Sequence, residues 1–161
     1  MSTAAPNRRP ANGSREFVIV ASRYNDAYVQ GLIDHATVEL RVLAPGAAIS
    51  VLRVPGSFEI PVIVREVALQ GRADAIIACG VILQGETDHA KNLSRSVTDA
   101  LQSIAVDYGV PVINVVLSFD NEDQAYQRCL GQKINRGTEA ARAAVDIVQT
   151  LSEIRENKRQ N

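Results

Sequence analysis

Aromatic residues are scarce in this chain, and tryptophan is absent. Only 4% of the 161 residues are aromatic, whereas 46% are hydrophobic and 22% are charged. These proportions are typical of a globular domain, and a chain of this length can bury a core without disulfides or a structural metal. Valine, isoleucine, leucine and alanine must therefore form the core, so any exposed aromatic residue stands out.

Cysteine, histidine and net charge are also scarce. The two cysteines, Cys79 and Cys129, form no CxxC motif, and no HExxH motif or Cys/His cluster is present, so no metal site is expected. We interpret Cys79 as a small buried hydrophobic residue, and the absence of a disulfide framework suits a cytoplasmic protein. A formal net charge of −1 gives no reason to expect nucleic acid or an anionic membrane as a partner.

Long hydrophobic runs are missing as well. No run of 18 apolar residues occurs, so no membrane span is expected, and the N-terminus lacks the apolar segment of a signal peptide. We expect residues 1–14 to form a flexible arm, residues 15–155 a single domain and residues 156–161 a frayed tail.

Four apolar, β-branched segments alternate with helical patterns along the chain. The segments 16–22, 48–54, 74–83 and 112–118 each precede a stretch with helical spacing. Asn25-Asp26 is expected to cap the first helix. Apolar strands that alternate with helices predict an α/β fold with a four-stranded parallel sheet and helices on both faces.

His89 lies where the third strand ends and a helix begins, which is where ligands bind in open α/β folds. The start of a helix can hold an anion there, and it favours a neutral imidazole that can accept a proton. Tyr24 follows the first strand and can stack on a flat heterocycle, or only pack on its neighbours as a turn residue. His35 lies within the first helical pattern and is interpreted as structural.

Other strand ends and loops carry polar groups with two interpretations each. The segment 57–59 can bind sugar hydroxyls or ring N–H groups, or act only as a helix cap. The segment 85–87 can cradle a phosphate, or form a plain turn, but no P-loop lysine follows it. Arg128 and Arg136 can contact a phosphate, or lie solvated at the surface. No G-x-G-x-x-G or G-x-S-x-G motif occurs, so a dinucleotide site and a hydrolase elbow are not supported.

Four motifs occur in order: PGSFEIP at 55–61, GETDH at 85–89, QAYQR at 124–128 and RGTEAA at 136–141. From about Phe17 to Leu151 the chain resembles the 6,7-dimethyl-8-ribityllumazine synthase family of riboflavin biosynthesis. The resemblance implies a flavodoxin-like three-layer sandwich. It also implies homo-oligomers, either pentamers or icosahedral shells of twelve pentamers, with active sites between subunits.

The resemblance also implies a reaction. 5-Amino-6-(D-ribitylamino)uracil condenses with 3,4-dihydroxy-2-butanone 4-phosphate to give 6,7-dimethyl-8-ribityllumazine, with release of water and phosphate and without a cofactor or metal. Riboflavin synthase is the candidate protein partner.

The resemblance assigns roles by position. His89 matches the proton-transfer residue. Glu86, Thr87 and Arg128 match phosphate-binding positions, Arg128 being supplied by the neighbouring subunit. The positions that match the ribitylaminouracil site are Tyr24, Ser57, Phe58, Glu59, Val81, Ile82, Leu83 and Asn114. Further candidates are Arg136 and Glu139.

The chain departs from the family pattern at several positions. Asn114 stands where many members have phenylalanine, and Gln132 replaces a common lysine. These differences are expected to affect ligand affinity more than the type of reaction. These departures motivate a rival hypothesis, a catalytically weak paralogue that binds flavin or lumazine. A flavodoxin-like signalling or electron-transfer domain is a third hypothesis, which the absence of an acidic cluster after the first strand disfavours.

Overall fold

Four strands form one parallel sheet in the computed structural model, which describes residues 5–10, 13–85 and 87–160. The strands are β1 (Glu16–Ser22), β2 (Ala48–Val54), β3 (Ala75–Leu83) and β4 (Val112–Phe119). Their order is β2-β1-β3-β4, and every neighbouring pair is parallel. The predicted four-stranded parallel sheet is therefore confirmed.

Five helices cover the two faces of the sheet. They are α1 (Asp26–Leu43), α2 (Ile60–Gln70), α3 (His89–Tyr108), α4 (Glu122–Cys129) and α5 (Arg136–Arg159), and a 3₁₀ turn (Ser57–Glu59) precedes α2. Helices α1, α4 and α5 pack on one face, and α2 and α3 pack on the other. This arrangement confirms the three-layer sandwich, and the strand order agrees with a flavodoxin-like fold.

The core consists of two apolar layers, one on each side of the sheet. Because successive side chains of a strand point to opposite faces, Ile19 and Ile77 enter the layer under α1 and α5. Val20 and Ile76 enter the layer under α2 and α3. Burial on both faces explains why β1 and β3 are continuous apolar runs. The edge strand β2 differs, because most of its residues are exposed.

The loop from β1 to α1 corrects one expectation. Asn25 precedes α1 but makes no side-chain capping bond, and its backbone is left-handed with a φ of 56°. Asparagine tolerates this conformation better than most residues. Its Nδ2 instead donates to the carbonyl oxygen of Val81 at 2.7 Å. Asn25 therefore ties the end of β1 to the end of β3, the two strands between which the chain changes direction across the sheet.

Both ends of the described chain contact the helices. Arg8 donates two hydrogen bonds to Glu39 of α1, and Arg9 forms ion pairs with two carboxylates of α5. Residues 156–159, which the sequence assigns to a frayed tail, are helical because α5 continues to Arg159. Basic residues in its last turn suit the negative end of the helix. In the described part of the chain, no helix is long and apolar enough to cross a membrane.

Candidate functional site

The four strands end at one edge of the sheet, where the loops after β1 and β2 are joined by backbone hydrogen bonds. The amide of Arg23 donates to the carbonyl oxygens of Val54 and Pro55, at 2.9 and 3.1 Å. The amide of Tyr24 donates to the carbonyl oxygen of Pro55 at 3.3 Å. The structure therefore brings the Tyr24 loop and the segment 57–59 together, as their positions after parallel strands predict.

The Tyr24 ring packs against Gly56 and remains open on most of its surface. A Cβ atom added to Gly56 would lie 3.0 Å from two ring carbons of Tyr24. The Tyr24 side chain is nevertheless 71% exposed. The ring thus rests on its neighbour, as the turn interpretation holds, and still presents surface on which a flat ligand can stack.

The segment 57–59 is anchored to β3 and to its own backbone. Ser57 is buried, and its Oγ lies 2.6 Å from the position that a Cβ atom of Gly80 would occupy. The Glu59 Oε2 accepts a hydrogen bond from the backbone amide of Gly56 at 2.8 Å, so Glu59 caps this turn as the helix-cap interpretation predicts. Phe58 is 67% exposed and leaves a second aromatic surface at this edge.

The end of β3 is tied to β4 as well as to β1. Val81 and Ile82 are buried in the two opposite core layers, and Leu83 is half-buried. The Gln84 amide donates to the carbonyl oxygen of Phe119 at 2.8 Å, and its side chain donates to a hydroxyl of β4. Among residues 81–83, Leu83 is the residue whose side chain is not fully buried.

His89 is the first residue of α3 and is exposed. Within the residues that the structure describes, its imidazole has no hydrogen-bond partner. Thr87 is exposed in the same loop, and Glu86 lies outside the described residues. The Asp88 side chain makes no capping bond to the start of α3. An exposed imidazole beside free helix N–H groups can exchange protons with a ligand and face an anion.

Arg128 lies on another part of the molecule. It belongs to α4, which packs with α1 and α5 on one face of the sheet, whereas α3 packs on the other face. Arg128 lines a concavity of about 260 Å³ together with Tyr126, Gly131 and Lys133. The structure of one chain therefore does not bring Arg128 to His89.

Asn114 also lies away from the Tyr24 edge. It is the third residue of β4, the outer strand on the far side of the sheet, and it pairs in register with Ala78. Its Nδ2 donates to the Thr98 hydroxyl of α3 at 3.2 Å, and its Oδ1 accepts from the amide of Val116 at 3.0 Å. The exposed Asn114 amide is thus held on the surface beside α3.

Arg136 and Glu139 form an ion pair with each other in the first turn of α5. Both side chains are partly buried, so the pair is less screened than most surface pairs. This contact gives each of these candidates a partner inside α5.

Sequence reasoning missed Asn135, which organises the loop between α4 and α5. Its buried Nδ2 donates to the carbonyl oxygens of Cys129 and Gly131, at 2.9 and 3.0 Å. Its Oδ1 accepts from the amides of Gly137 and Thr138 at the start of α5. An asparagine directly before a helical pattern is a capping signal, so the sequence predicts the bonds to the start of α5 but not those to the loop carbonyl oxygens.

Neither cysteine is suited to nucleophilic chemistry. Burial raises the pKa of the Cys79 and Cys129 thiols to about 12, so almost no thiolate is present near neutral pH. The interpretation of Cys79 as a buried hydrophobic residue is confirmed. Within residues 5–10, 13–85 and 87–160, no group of three histidine, cysteine or acidic side chains is placed to hold a metal ion.

Comparison with known proteins identifies the family. The chain is similar to curated proteins named 6,7-dimethyl-8-ribityllumazine synthase. One, from Halorhodospira halophila, is 39% identical over 139 residues, which cover 86% of this chain and 89% of the relative. Another, from Syntrophus aciditrophicus, is 36% identical over 155 residues, which cover 96% of this chain and 100% of the relative.

A solved GDSL-like lipase from Bacteroides thetaiotaomicron matches 88% of this chain and 65% of its own, at 12% identity. Its TM-score is 0.37, which is too low to indicate a shared fold. The sequence model of the 6,7-dimethyl-8-ribityllumazine synthase family, in contrast, matches residues 14–152. With the curated relatives, this match shows that the chain belongs to the 6,7-dimethyl-8-ribityllumazine synthase family.

Proposed function

We propose that this chain forms 6,7-dimethyl-8-ribityllumazine from 5-amino-6-(D-ribitylamino)uracil and 3,4-dihydroxy-2-butanone 4-phosphate. The amine condenses with the ketone, the phosphate is eliminated and the second amine closes the ring, so that water and inorganic phosphate leave. The observation that carries this proposal is family membership over residues 14–152, within which all four motifs fall.

The ribitylaminouracil is proposed to bind at the carboxyl edge of the sheet. The exposed ring of Tyr24 would stack on the pyrimidinedione. Phe58, Ser57 and Glu59, with the end of β3 at residues 81–83, would hold the ring and its ribityl chain. Contacts of the Tyr24 loop with Pro55 and Gly56, which directly precede the 57–59 segment, support this assignment.

His89 is proposed to transfer protons during condensation and ring closure. Each of these steps moves protons, and histidine is the side chain that most often serves as a general acid or base in enzymes. The exposure of His89 at the start of α3 supports the role, since a ligand at the strand ends can reach an imidazole there.

The phosphate is proposed to bind between Glu86 and Thr87 of one subunit and Arg128 of the next. Two features of the single chain support a contribution from a neighbour. Arg128 and His89 belong to helices on opposite faces of the sheet. Among the residues described, Arg128 has no ion-pair partner of its own chain. Asn114 lies on the outer strand β4, away from Tyr24 of its own chain. We therefore assign its exposed amide to the wall of a neighbouring subunit's pocket.

The enzyme is proposed to be a homo-oligomer, either a pentamer or a shell of pentamers. Exposed apolar side chains on α2 and β2 support association, because burying them against a neighbouring subunit would be favourable. These residues are Val51, Leu52, Val62 and Leu69. Riboflavin synthase stays the candidate partner, and the cytoplasm the proposed location, where both thiols would remain reduced.

The test is product formation by the purified chain. Incubation with the two substrates is expected to yield an absorbing, fluorescent pteridine and one phosphate for each product molecule. His89→Ala and Arg128→Ala should both slow its appearance. A rate equal to background in the unaltered chain would overturn the proposal, and tight lumazine binding at that rate would point to the paralogue that binds without turnover.

A further inference from the structure

The concavity at the junction of α4 and α5 is positively charged. Of the residues that the structure describes, its lining includes Arg128 and Lys133 and no acidic side chain. Neither cation has an ion-pair partner among the described residues, although the chain as a whole carries a formal net charge of −1. Two uncompensated cations at one concave surface of about 260 Å³ attract an anion more strongly than either cation would alone.

The backbone that carries Lys133 is fixed on both sides. A Cβ atom on Gly131 would lie 2.5 Å from the carbonyl oxygen of Gln127, so the chain passes too close to the end of α4 for any other residue there. Asn135, on the other side, donates to the carbonyl oxygens of Cys129 and Gly131. The Lys133 ammonium is therefore exposed but tethered by a short segment within the same lining as Arg128.

We propose that Lys133 is a second phosphate-binding cation, acting beside Arg128 on the butanone phosphate. This inference rests on the proposed function and deepens it. A phosphate monoester carries between one and two negative charges near neutral pH, so two cations match its charge better than one. The guanidinium of Arg128 can bind two oxygens and set orientation, whereas an ammonium acts as a point charge. Lys133 thus favours the phosphorylated substrate over an unphosphorylated analogue.

The experiment compares substitutions in the full-length, assembled enzyme. Lys133→Gln is expected to raise KM for the butanone phosphate roughly 10-fold, the size of one charge-assisted contact. The KM for ribitylaminouracil and kcat should stay unchanged, and Lys133→Arg should restore most of the loss. Lys158→Gln removes the same charge from the exposed last turn of α5 and is the matched control. An unchanged KM for the butanone phosphate in Lys133→Gln would overturn the inference.

Binding of inorganic phosphate, measured by calorimetry, separates this inference from the proposed function. Weaker phosphate binding in Lys133→Gln than in Lys158→Gln supports the anion site, even if the unaltered chain forms no lumazine. Normal lumazine synthesis with equal phosphate affinity in both variants overturns the role of Lys133 and leaves the proposed function intact. Absence of both lumazine synthesis and phosphate binding in the unaltered chain overturns both.

Discussion

At the scale of single residues, the proposed proton-transfer role of His89 can be separated from an effect on stability. It is exposed at the first position of α3, and no described side chain bonds to its imidazole. We therefore expect His89→Ala to lower kcat by about 10²–10⁴-fold, the usual contribution of acid–base catalysis. The free energy of unfolding should change by less than about 0.5 kcal/mol. Steady-state kinetics and urea denaturation measure the two effects.

The other histidine supplies the control for that substitution. His35 lies inside α1 and outside the proposed site, so His35→Gln should leave kcat unchanged. If both variants retained the rate of the unaltered enzyme, the proton-transfer role of His89 would be wrong.

Asn135 shows the opposite behaviour, because it is placed for stability and for positioning. Asn135→Ala leaves two loop carbonyl oxygens and two helix amides without their partner, three of these bonds at 2.8–3.0 Å. We expect a loss of about 2–3 kcal/mol in the free energy of unfolding. Asn121→Ala, which removes only one exposed capping bond from α4, should cost about 1 kcal/mol. Equal losses in the two variants would contradict the account of this loop.

Single residues also mark the limit of what the sequence could predict about the site. Tyr24, the segment 57–59 and His89 could be placed at one edge, because carboxyl ends of parallel strands share an edge. Asn25 and Asn135 could not be understood in full, since their amides bond to Val81 and Cys129 across loops whose geometry no local pattern encodes.

At the scale of elements, the N-terminal segment is joined to α1 and α5 through a buried carboxylate. Glu39 is only 4% exposed, and its oxygens accept from Arg8 and from Arg142. The hydrogen bond from Arg8, with help from Arg142, holds the pKa of the Glu39 carboxyl below its ordinary value, although burial opposes the shift. The segment, α1 and α5 are thus linked at one point by charge.

This link predicts a pH dependence of stability. Because the pKa of Glu39 is lowered on folding, its contribution is complete above the ordinary value of 4.5 and is lost as the pH falls through the folded value. Glu39→Gln should lower the free energy of unfolding by about 1–3 kcal/mol at pH 7. The difference from the unaltered chain should shrink as the pH falls below 4.5, as measured by urea denaturation.

A second carboxylate provides the control. Glu66 lies on the exposed side of α2 and accepts only a long bond from Gln70, so Glu66→Gln should have little effect at any pH. A cost of Glu39→Gln that stayed constant as the pH fell well below 4.5 would contradict the assigned charge state. The same variant should also make the bond after Arg8 more accessible to trypsin, because the Glu39 carboxylate that holds the Arg8 side chain is lost.

The elements themselves followed from the sequence to a large extent. Apolar runs of seven to ten residues predicted all four strands, and the bounds of β1 and β2 were predicted to the residue. The exposure of β2 could not be predicted, because an apolar run is compatible with an edge strand as well as with a central strand. The helical state of residues 156–159 was also missed, since charged residues at a chain end resemble a frayed tail.

At the scale of the whole molecule, one chain does not bring all the proposed site residues together. The edge proposed to bind the ring, with His89, and the cationic concavity with Arg128 occupy different parts of the same subunit. Alternating strands and helices predicted the fold of one subunit. Assembly depends on the fit between two surfaces, which the periodicity of the sequence does not predict. The proposed site therefore requires a neighbouring copy of the chain that brings its concavity to the His89 edge.

The specific activity of mixed oligomers tests that claim most directly. His89→Ala and Arg128→Ala subunits, each nearly inactive alone, are co-expressed in equal amounts and purified as mixed assemblies. If the two residues come from adjacent subunits, about one site in four combines an intact His89 with an intact Arg128, given random assortment in a symmetric oligomer. Lumazine synthesis at about a quarter of the unaltered specific activity is the predicted result, and activity no higher than the mean of the two parent variants would contradict it.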